Sequence, residues 1–328
     1  MQSFEQRMRA RAAVVDAVRD FFRQRDFLEV DTPVAISAPA PEPHLEAPAV
    51  RLLAGDAWQQ RFLQTSPELP MKRLVASGLP RIFQLAPVFR DGELSPLHRP
   101  EFRLLEWYRT QATWLTLMDD CEALVTACLA AVGKSHRHAY QGQALDLGTP
   151  FDRVSVEALF RAHAGFSILD SLDVPALRSA LSAFGMTWST DDSWDDLFHR
   201  VFLNRIEPAL RRHPRAVFVT HYPAPLAALA RLSPEDARVA ERFELYVGGV
   251  ELANAFGELT DVAEQRRRFE ADRALRKTMG RADYPLDEQF FAGLAVTPPF
   301  AGIALGLERL LMILLDAADI EDVQFIRW

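Results

Sequence analysis

Two apolar runs on either side of a charged loop constrain this chain more than any other feature. Residues 81–90 read RIFQLAPVFR and residues 102–109 read FRLLEWYR, separated by the eleven residues DGELSPLHRPE. Side chains in a strand alternate faces, and two strands joined by a loop of this length pair antiparallel. Ala86, Val88 and Arg90 then share one face of the first strand, and Phe102, Leu104, Glu106 and Tyr108 share one face of the second. If those faces coincide, a guanidinium, an aromatic ring, a carboxylate and a phenol converge on one surface.

The rest of the chain supplies helices and further strands. Residues 4–24 carry Val14, Val15, Val18, Phe21 and Phe22 at helical spacing and run into FLEVDTPV at 27–34, which alternates as a short strand closed by Pro33. A Pro-rich loop over 38–48 follows. RFLQTSPELPMKRLVASG, 61–78, then reads as a strand turning at Ser66-Pro67 into a helix capped by Gly78. Helices are expected over 114–133, 154–163, 174–184, 194–211 and 261–277, with a strand over 216–220. Near the end, GIALGLERLLMILLDA reads as a strand handing over to an apolar helix. Antiparallel strands surrounded by helices, with no internal repeat and no low-complexity linker, predict an α+β fold, one domain over 1–328.

Composition excludes several classes of function. A formal net charge of −8 argues against a surface built for nucleic acid, which needs clustered Lys and Arg. No apolar stretch reaches the roughly 18 residues of a membrane span, and the N-terminal segment has no secretory core, so a cytoplasmic protein is expected. The two cysteines, Cys121 and Cys128, lie seven positions apart in an expected helix. Their α-carbons should be about 10 Å apart, too far for a disulfide. None of the eight histidines forms a His-x-x-x-His pair, and no Cys/His zinc pattern is present.

Two further constellations carry chemistry. In FELYVGGVEL the Gly248-Gly249 pair suits a two-residue hairpin turn, which is expected to set Glu244 opposite Ala253 with Glu251 on the diagonal. Like charges about 6–8 Å apart repel unless a cation sits between them, and hard oxygen ligands of this kind suit Mg²⁺ completed by substrate phosphates. In an unbroken strand Glu251 would face away from Asn254, Phe256 and Glu258, so a bulge near Ala253 is expected. Arg309 falls in the first turn of the last helix, where free backbone N–H groups and the helix dipole favour an anion. Arg90, the acidic hairpin and Arg309 together describe a nucleotide triphosphate site.

These residues resemble the catalytic domain of class II aminoacyl-tRNA synthetases, and most closely the lysyl group. The first family motif is matched by the opening helix with FLEVDTP, the second by FR at 89–90 with HRPEF at 98–102, and the third by GLER at 306–309. TSPE, PAPLAALAR, FELYVGG and ELANAFGEL extend the similarity between the motifs. The resemblance implies ATP as substrate and Mg²⁺ as cofactor. It implies that Arg90 bridges the amino-acid carboxylate and the α-phosphate, that Phe102 stacks on adenine, and that Arg309 and His98 hold phosphates. Glu244 and Glu251 would hold the metal. Glu68 and Asn254 would lie at the α-amino end of the amino acid, Glu106, Tyr108 and Glu258 would grip a side-chain ammonium, and Phe256 and Ala304 would complete the pocket.

The resemblance also implies a homodimer formed through the first motif. Where the family usually has RNE, this chain has RDGE, which leaves Glu93 as the candidate ATP contact, and Arg99 stands where relatives show Asn. Lysyl-tRNA synthetases place an anticodon-binding domain ahead of the first motif, and here none is expected. That organisation, and Ala304 in GIALG where the synthetases carry Gly, resemble a truncated branch of the family that joins (R)-β-lysine to a lysine of translation elongation factor P. The expected partners are therefore (R)-β-lysine or lysine and elongation factor P, with no tRNA and no membrane. Lysyl-tRNA synthetase-like charging of tRNA and a non-catalytic amino-acid sensor are the alternatives.

Overall fold

The structure is a computed structural model that describes residues 3–326; of the domain expected over 1–328, the first two and last two residues lie outside the described part. Contacts divide the chain into two compact units, one comprising the chain up to Ala112 with Leu259 onwards, the other Thr113–Glu258.

In the first unit the strands lie in the order Leu28–Glu29, Arg81–Phe89, Glu101–Thr110, Phe300–Gly306. The central pair sets Ala86 opposite Leu104 and Val88 opposite Phe102. The expected faces therefore coincide. On the next strand Ala304 pairs with Glu106, which in turn pairs with Gln84, so these three residues form one row across the sheet. The other face carries Phe83, Leu105 and Trp107, all fully buried. The opening helix, Phe4–Arg23, covers that side: Phe22 stacks on Phe83 at 4.6 Å between ring centroids and meets Trp107 at 5.2 Å. Ser3 starts this helix with a capping box, its hydroxyl accepting from the Gln6 backbone.

In the second unit the order is Val250–Gly257, Arg242–Val247, Val217–Thr220, Asp152–Ser155. The outermost strand of each unit is parallel to its neighbour, a departure from the uniformly antiparallel expectation. Parallel pairing needs a crossover, and both crossovers are present in the chain: residues 30–80 with their hairpin and helix, and the helical stretch 156–212. The helix expected from residue 154 accordingly starts at Val156, since Val154 and Ser155 belong to the strand.

The helix expected over 194–211 is present as a continuous helical run to Arg212, with a π-helical turn, Phe202–Ile206, between α-helical Trp194–Val201 and Glu207–Arg212. Trp194, Phe198 and Phe202 stack in series within this unit's core, which also includes Tyr246. Cys121 and Cys128 are free and buried in the helix Trp114–Ala131, as their spacing predicts, and burial pushes the Cys128 thiol up to about 12. The short strands Ala35–Ile36, Ala49–Ala54, Arg137–Tyr140 and Gln143–Asp146, and the helix Glu288–Leu294, go beyond what the sequence pattern predicts.

Candidate active site

The first unit gathers two sets of expected residues on the face of its sheet opposite the opening helix. One set is cationic and aromatic. The Arg90 guanidinium lies over the Phe102 ring, 5.1 Å from its centroid, and 4.0 Å from the Glu93 carboxylate. Phe102 flanks a small apolar patch of Ala86, Val88, Leu104 and Ala304. Across the charged loop, Arg309 Nη2 donates to His98 Nε2 at 2.6 Å, which leaves Nδ1 of His98 as the protonated nitrogen donating to Ser95 Oγ at 2.7 Å. Burial first, and then the charges of Arg309 and Arg90, hold the His98 imidazole down to about 4. It is neutral at physiological pH and adds no charge to the two guanidinium groups beside it.

The loop that carries His98 is pinned by a residue the family likeness does not explain. Arg99 donates to Asp319 at 2.9 Å and Glu321 at 3.1 Å and to the His98 carbonyl at 2.7 Å, and the Ile320 N–H donates to the Pro96 carbonyl. Glu308 of the third motif ties the opening helix to the sheet, accepting from buried Arg11 at 2.8 Å and from the Arg103 N–H at 2.9 Å.

The second set is acidic and buried. Glu106 is fully buried beneath the helix Glu68–Ala76 and accepts from Ser66 Oγ at 2.6 Å and from the Tyr108 hydroxyl at 2.9 Å. Burial, with the nearby charge of Glu68 second, raises its carboxyl from 4.5 to about 8, while the Ser66 and Tyr108 bonds and the charge of Lys72 pull the other way. Glu68 accepts from Lys72 Nζ at 2.5 Å, one helical turn on. Lys72 is itself buried, 3% exposed at its side chain, so it neutralises a carboxylate largely shielded from water. Neither Ser66 nor Lys72 is among the expected residues, although Lys72 lies four positions after Glu68 on the same helix face.

The hairpin of the second unit forms a third set. Its turn, Gly248-Gly249, has φ of +57° and +80°, the left-handed pair a type I′ turn requires. A bulge is present as expected: Leu245 pairs with Ala253 but Tyr246 with Glu251, which leaves Leu252 as the extra residue. The expected pairing of Glu244 with Ala253 is therefore corrected to Glu244 with Asn254, because the extra residue shifts the register by one. The same shift brings Glu251 onto the face shared by Glu244, Asn254 and Phe256. Glu258, just beyond the strand, is buried and its backbone pairs with Ala230.

Three residues that sequence reasoning missed surround Glu244. Tyr222 and Tyr246 donate their hydroxyls to Oε2 at 2.5 and 2.7 Å, and Arg242 donates to Oε1 at 2.7 Å. Burial, with the Glu244 charge second, raises both phenols well above their ordinary value, so both remain donors. Among the described residues no group of three or more His, Cys, Asp or Glu gathers as a metal site. Two glutamates on one face are nonetheless a fitting donor set for a hard cation that takes the rest of its shell from phosphates and water.

The family of class II tRNA synthetases (D, K and N) matches residues 1–326. The chain belongs to the class II tRNA synthetase family. Three curated relatives carry the name "Elongation factor P--(R)-beta-lysine ligase". The protein from Hamiltonella defensa is 38% identical over 318 residues, covering 95% of this chain and 92% of its own. That from Haemophilus influenzae strain PittGG is 38% identical over 316 residues, and that from Sodalis glossinidius 39% over 318, with the same coverage of both chains. The α+β fold inferred from the motifs is that of this synthetase family. Among the described residues, no helix is long and apolar enough to cross a membrane.

Proposed function

We propose that this class II synthetase-like chain, acting over 1–328 as one catalytic domain, is an ATP-dependent, AMP-forming ligase that activates (R)-β-lysine and transfers it to a lysine side chain of translation elongation factor P. The observation that carries the lysine-like substrate is Glu106, a carboxylate sealed from water and bonded to Ser66 and Tyr108, with a second carboxylate, Glu68, beside it. Such a pocket favours an ammonium group, which releases the proton of the acid and pairs with the resulting carboxylate, a gain that a neutral isostere does not supply. The name shared by the curated relatives supports the β-amino acid and the acceptor.

In the first step a carboxylate oxygen of the amino acid attacks the α-phosphorus of ATP. A P–O bond forms, the bond to the bridging oxygen breaks, and pyrophosphate leaves with the electron pair. Arg90 neutralises charge growing on the α-phosphate, and Phe102 offers its ring to adenine. Glu93 contacts the nucleotide, while Arg309, oriented by neutral His98, binds the departing phosphates. Glu244 and Glu251 would hold Mg²⁺, which supplies positive charge to the polyphosphate when bound. The family likeness assigns Glu68, Asn254 and Phe256 to the amino end of the substrate backbone, Glu106, Tyr108 and Glu258 to its distal ammonium, and Ala304 to the carbon chain between.

In the second step the neutral amine of an acceptor lysine attacks the acyl carbon. A C–N bond forms, the C–O bond to phosphate breaks, AMP leaves, and the amine loses a proton to give an amide. Work on a translation factor supports a cytoplasmic location, and the family likeness supports a homodimer built on the opening helix and the Leu28–Glu29 strand. Incubation with ATP and either (R)-β-lysine or α-lysine, with elongation factor P or tRNA as acceptor, tests the reading. The expected product is elongation factor P heavier by one β-lysyl group in the mass spectrum. Acid-precipitable label on tRNA, or no pyrophosphate release with any amino acid, overturns it.

A further inference from the structure

Arg242 is a heavily engaged side chain on the hairpin, and nothing in the proposed reaction uses it. Its three guanidinium nitrogens go to three different partners: Nη2 to Glu244 Oε1 at 2.7 Å, Nε to Asn254 Oδ1 at 3.2 Å, and Nη1 to the Leu226 carbonyl at 2.6 Å. The planar group also packs against two rings, 4.4 Å from the Tyr222 centroid and 5.7 Å from that of Phe256. Its side chain is 13% exposed. A planar fork held in this way has one orientation, so its donors fix the directions of the groups they reach.

Those groups act on different parts of the substrate pair. Glu244 belongs to the metal pair, Asn254 to the amino end of the amino acid. On the far side of Glu244, Tyr222 and Tyr246 hold the other carboxylate oxygen, and Tyr246 is in turn packed on Phe202 of the π-helical turn at 6.2 Å. Arg242 bonds to both Glu244 and Asn254 and so bridges the two.

We propose that Arg242 is a positioning residue that couples the metal carboxylate to the amino-acid amide, so that occupation of one subsite orders the other. The inference rests on the reading of Glu244 and Asn254 given under Proposed function. Lys at this position keeps the charge but reaches one partner instead of three, and Tyr246→Phe loosens Glu244 without touching Asn254.

The test measures two bindings separately on the full chain: Mn²⁺ in the presence of ATP by electron paramagnetic resonance, and amino acid without metal by calorimetry. Asn254→Ala and Glu244→Gln serve as controls for the reading itself. Arg242→Lys is expected to weaken both bindings, each by about tenfold, the scale found when a residue that orients a metal ligand is changed. Calorimetry repeated with Mn²⁺ and a non-hydrolysable ATP analogue is expected to show a gain in amino-acid affinity in the wild type and none in Arg242→Lys. Tyr246→Phe is expected to weaken Mn²⁺ alone. If the two controls leave both bindings unchanged, the site reading fails. If the controls behave as expected but Arg242→Lys alters only one binding, or only lowers the melting temperature, the coupling role is refuted. Should Arg242→Lys fail to fold, Arg242→Gln, whose shorter amide cannot reach all three partners, takes its place with the same expected outcomes.

Discussion

Glu106→Gln isolates the energetic consequence of hiding an acid in the proposed substrate pocket. The carboxyl ordinarily titrates at 4.5 and is raised to about 8 here, chiefly by burial. Between those two values the unfolded chain has lost the proton while the native one keeps it, so the native state binds more protons and stability falls as pH rises. The stabilising contribution is complete below pH 4.5 and is lost as pH climbs through about 8. At about 1.4 kcal/mol per pH unit, the loss accumulates to about 5 kcal/mol over that window. Gln removes the titration and offers one oxygen in place of two, so it accepts from either Ser66, which bonds Oε1, or Tyr108, which bonds Oε2, while its amide N–H donates to the other hydroxyl. Urea unfolding of both proteins from pH 5 to pH 9 should therefore show the variant gaining on the wild type as pH rises, then a plateau above about pH 8. Titrations elsewhere, such as Asp272, which burial raises to about 6, occur in both proteins and cancel in the difference. A difference that stays flat across the range would refute the claim that Glu106 is held protonated by its surroundings. Binding of a substrate ammonium should release a proton from this carboxyl, so lysine affinity is expected to increase up to about pH 8 in the wild type and to lose that dependence in the variant.

Other expectations follow from the same geometry. Arg90→Ala should slow ATP–pyrophosphate exchange by about a hundredfold, the scale of a lost oxyanion donor, and unchanged exchange removes Arg90 from the first step. Ala304→Gly deletes the methyl in register with Glu106 and should move the ratio of kcat/KM for (R)-β-lysine over α-lysine toward the α-amino acid by about tenfold, read by the same exchange with each substrate. Glu308→Gln leaves the guanidinium of Arg11 buried without its carboxylate and should cost about 3–5 kcal/mol of unfolding free energy in urea, with pyrophosphate exchange per folded molecule nearly unchanged.

Much of the site is legible in the amino-acid order because its parts are local. Alternation in RIFQLAPVFR and FRLLEWYR determines which side chains of each strand share a face, and the pairing of Val88 with Phe102 brings the two expected faces together. The Gly-Gly turn specifies the hairpin through its positive φ angles, and the mismatch of faces between Glu251 and Asn254 already requires a bulge. The features that periodicity misses are set by contacts between distant segments. Leu28–Glu29 is a strand only because Phe83 and its neighbour lie alongside, and the π-helical turn at Phe202–Ile206 comes after rings at Trp194, Phe198 and Phe202 whose i, i+4 spacing is that of an ordinary α-helix.

The composition of the chain alone determines that Glu106, Glu68, Glu244 and Arg242 exist, and strand and helix periods determine their faces. Whether each is a solvated surface charge or a functional group was decided by what folds over it. The helix Glu68–Ala76 buries Glu106 and moves its proton by several pH units, Lys72 becomes a counter-ion only inside that cover, and Tyr222 reaches Glu244 from twenty-two residues away. Periodicity is a property of neighbours along the chain. Desolvation and hydrogen-bond partnership are properties of neighbours in space, and those arise only when the chain closes on itself.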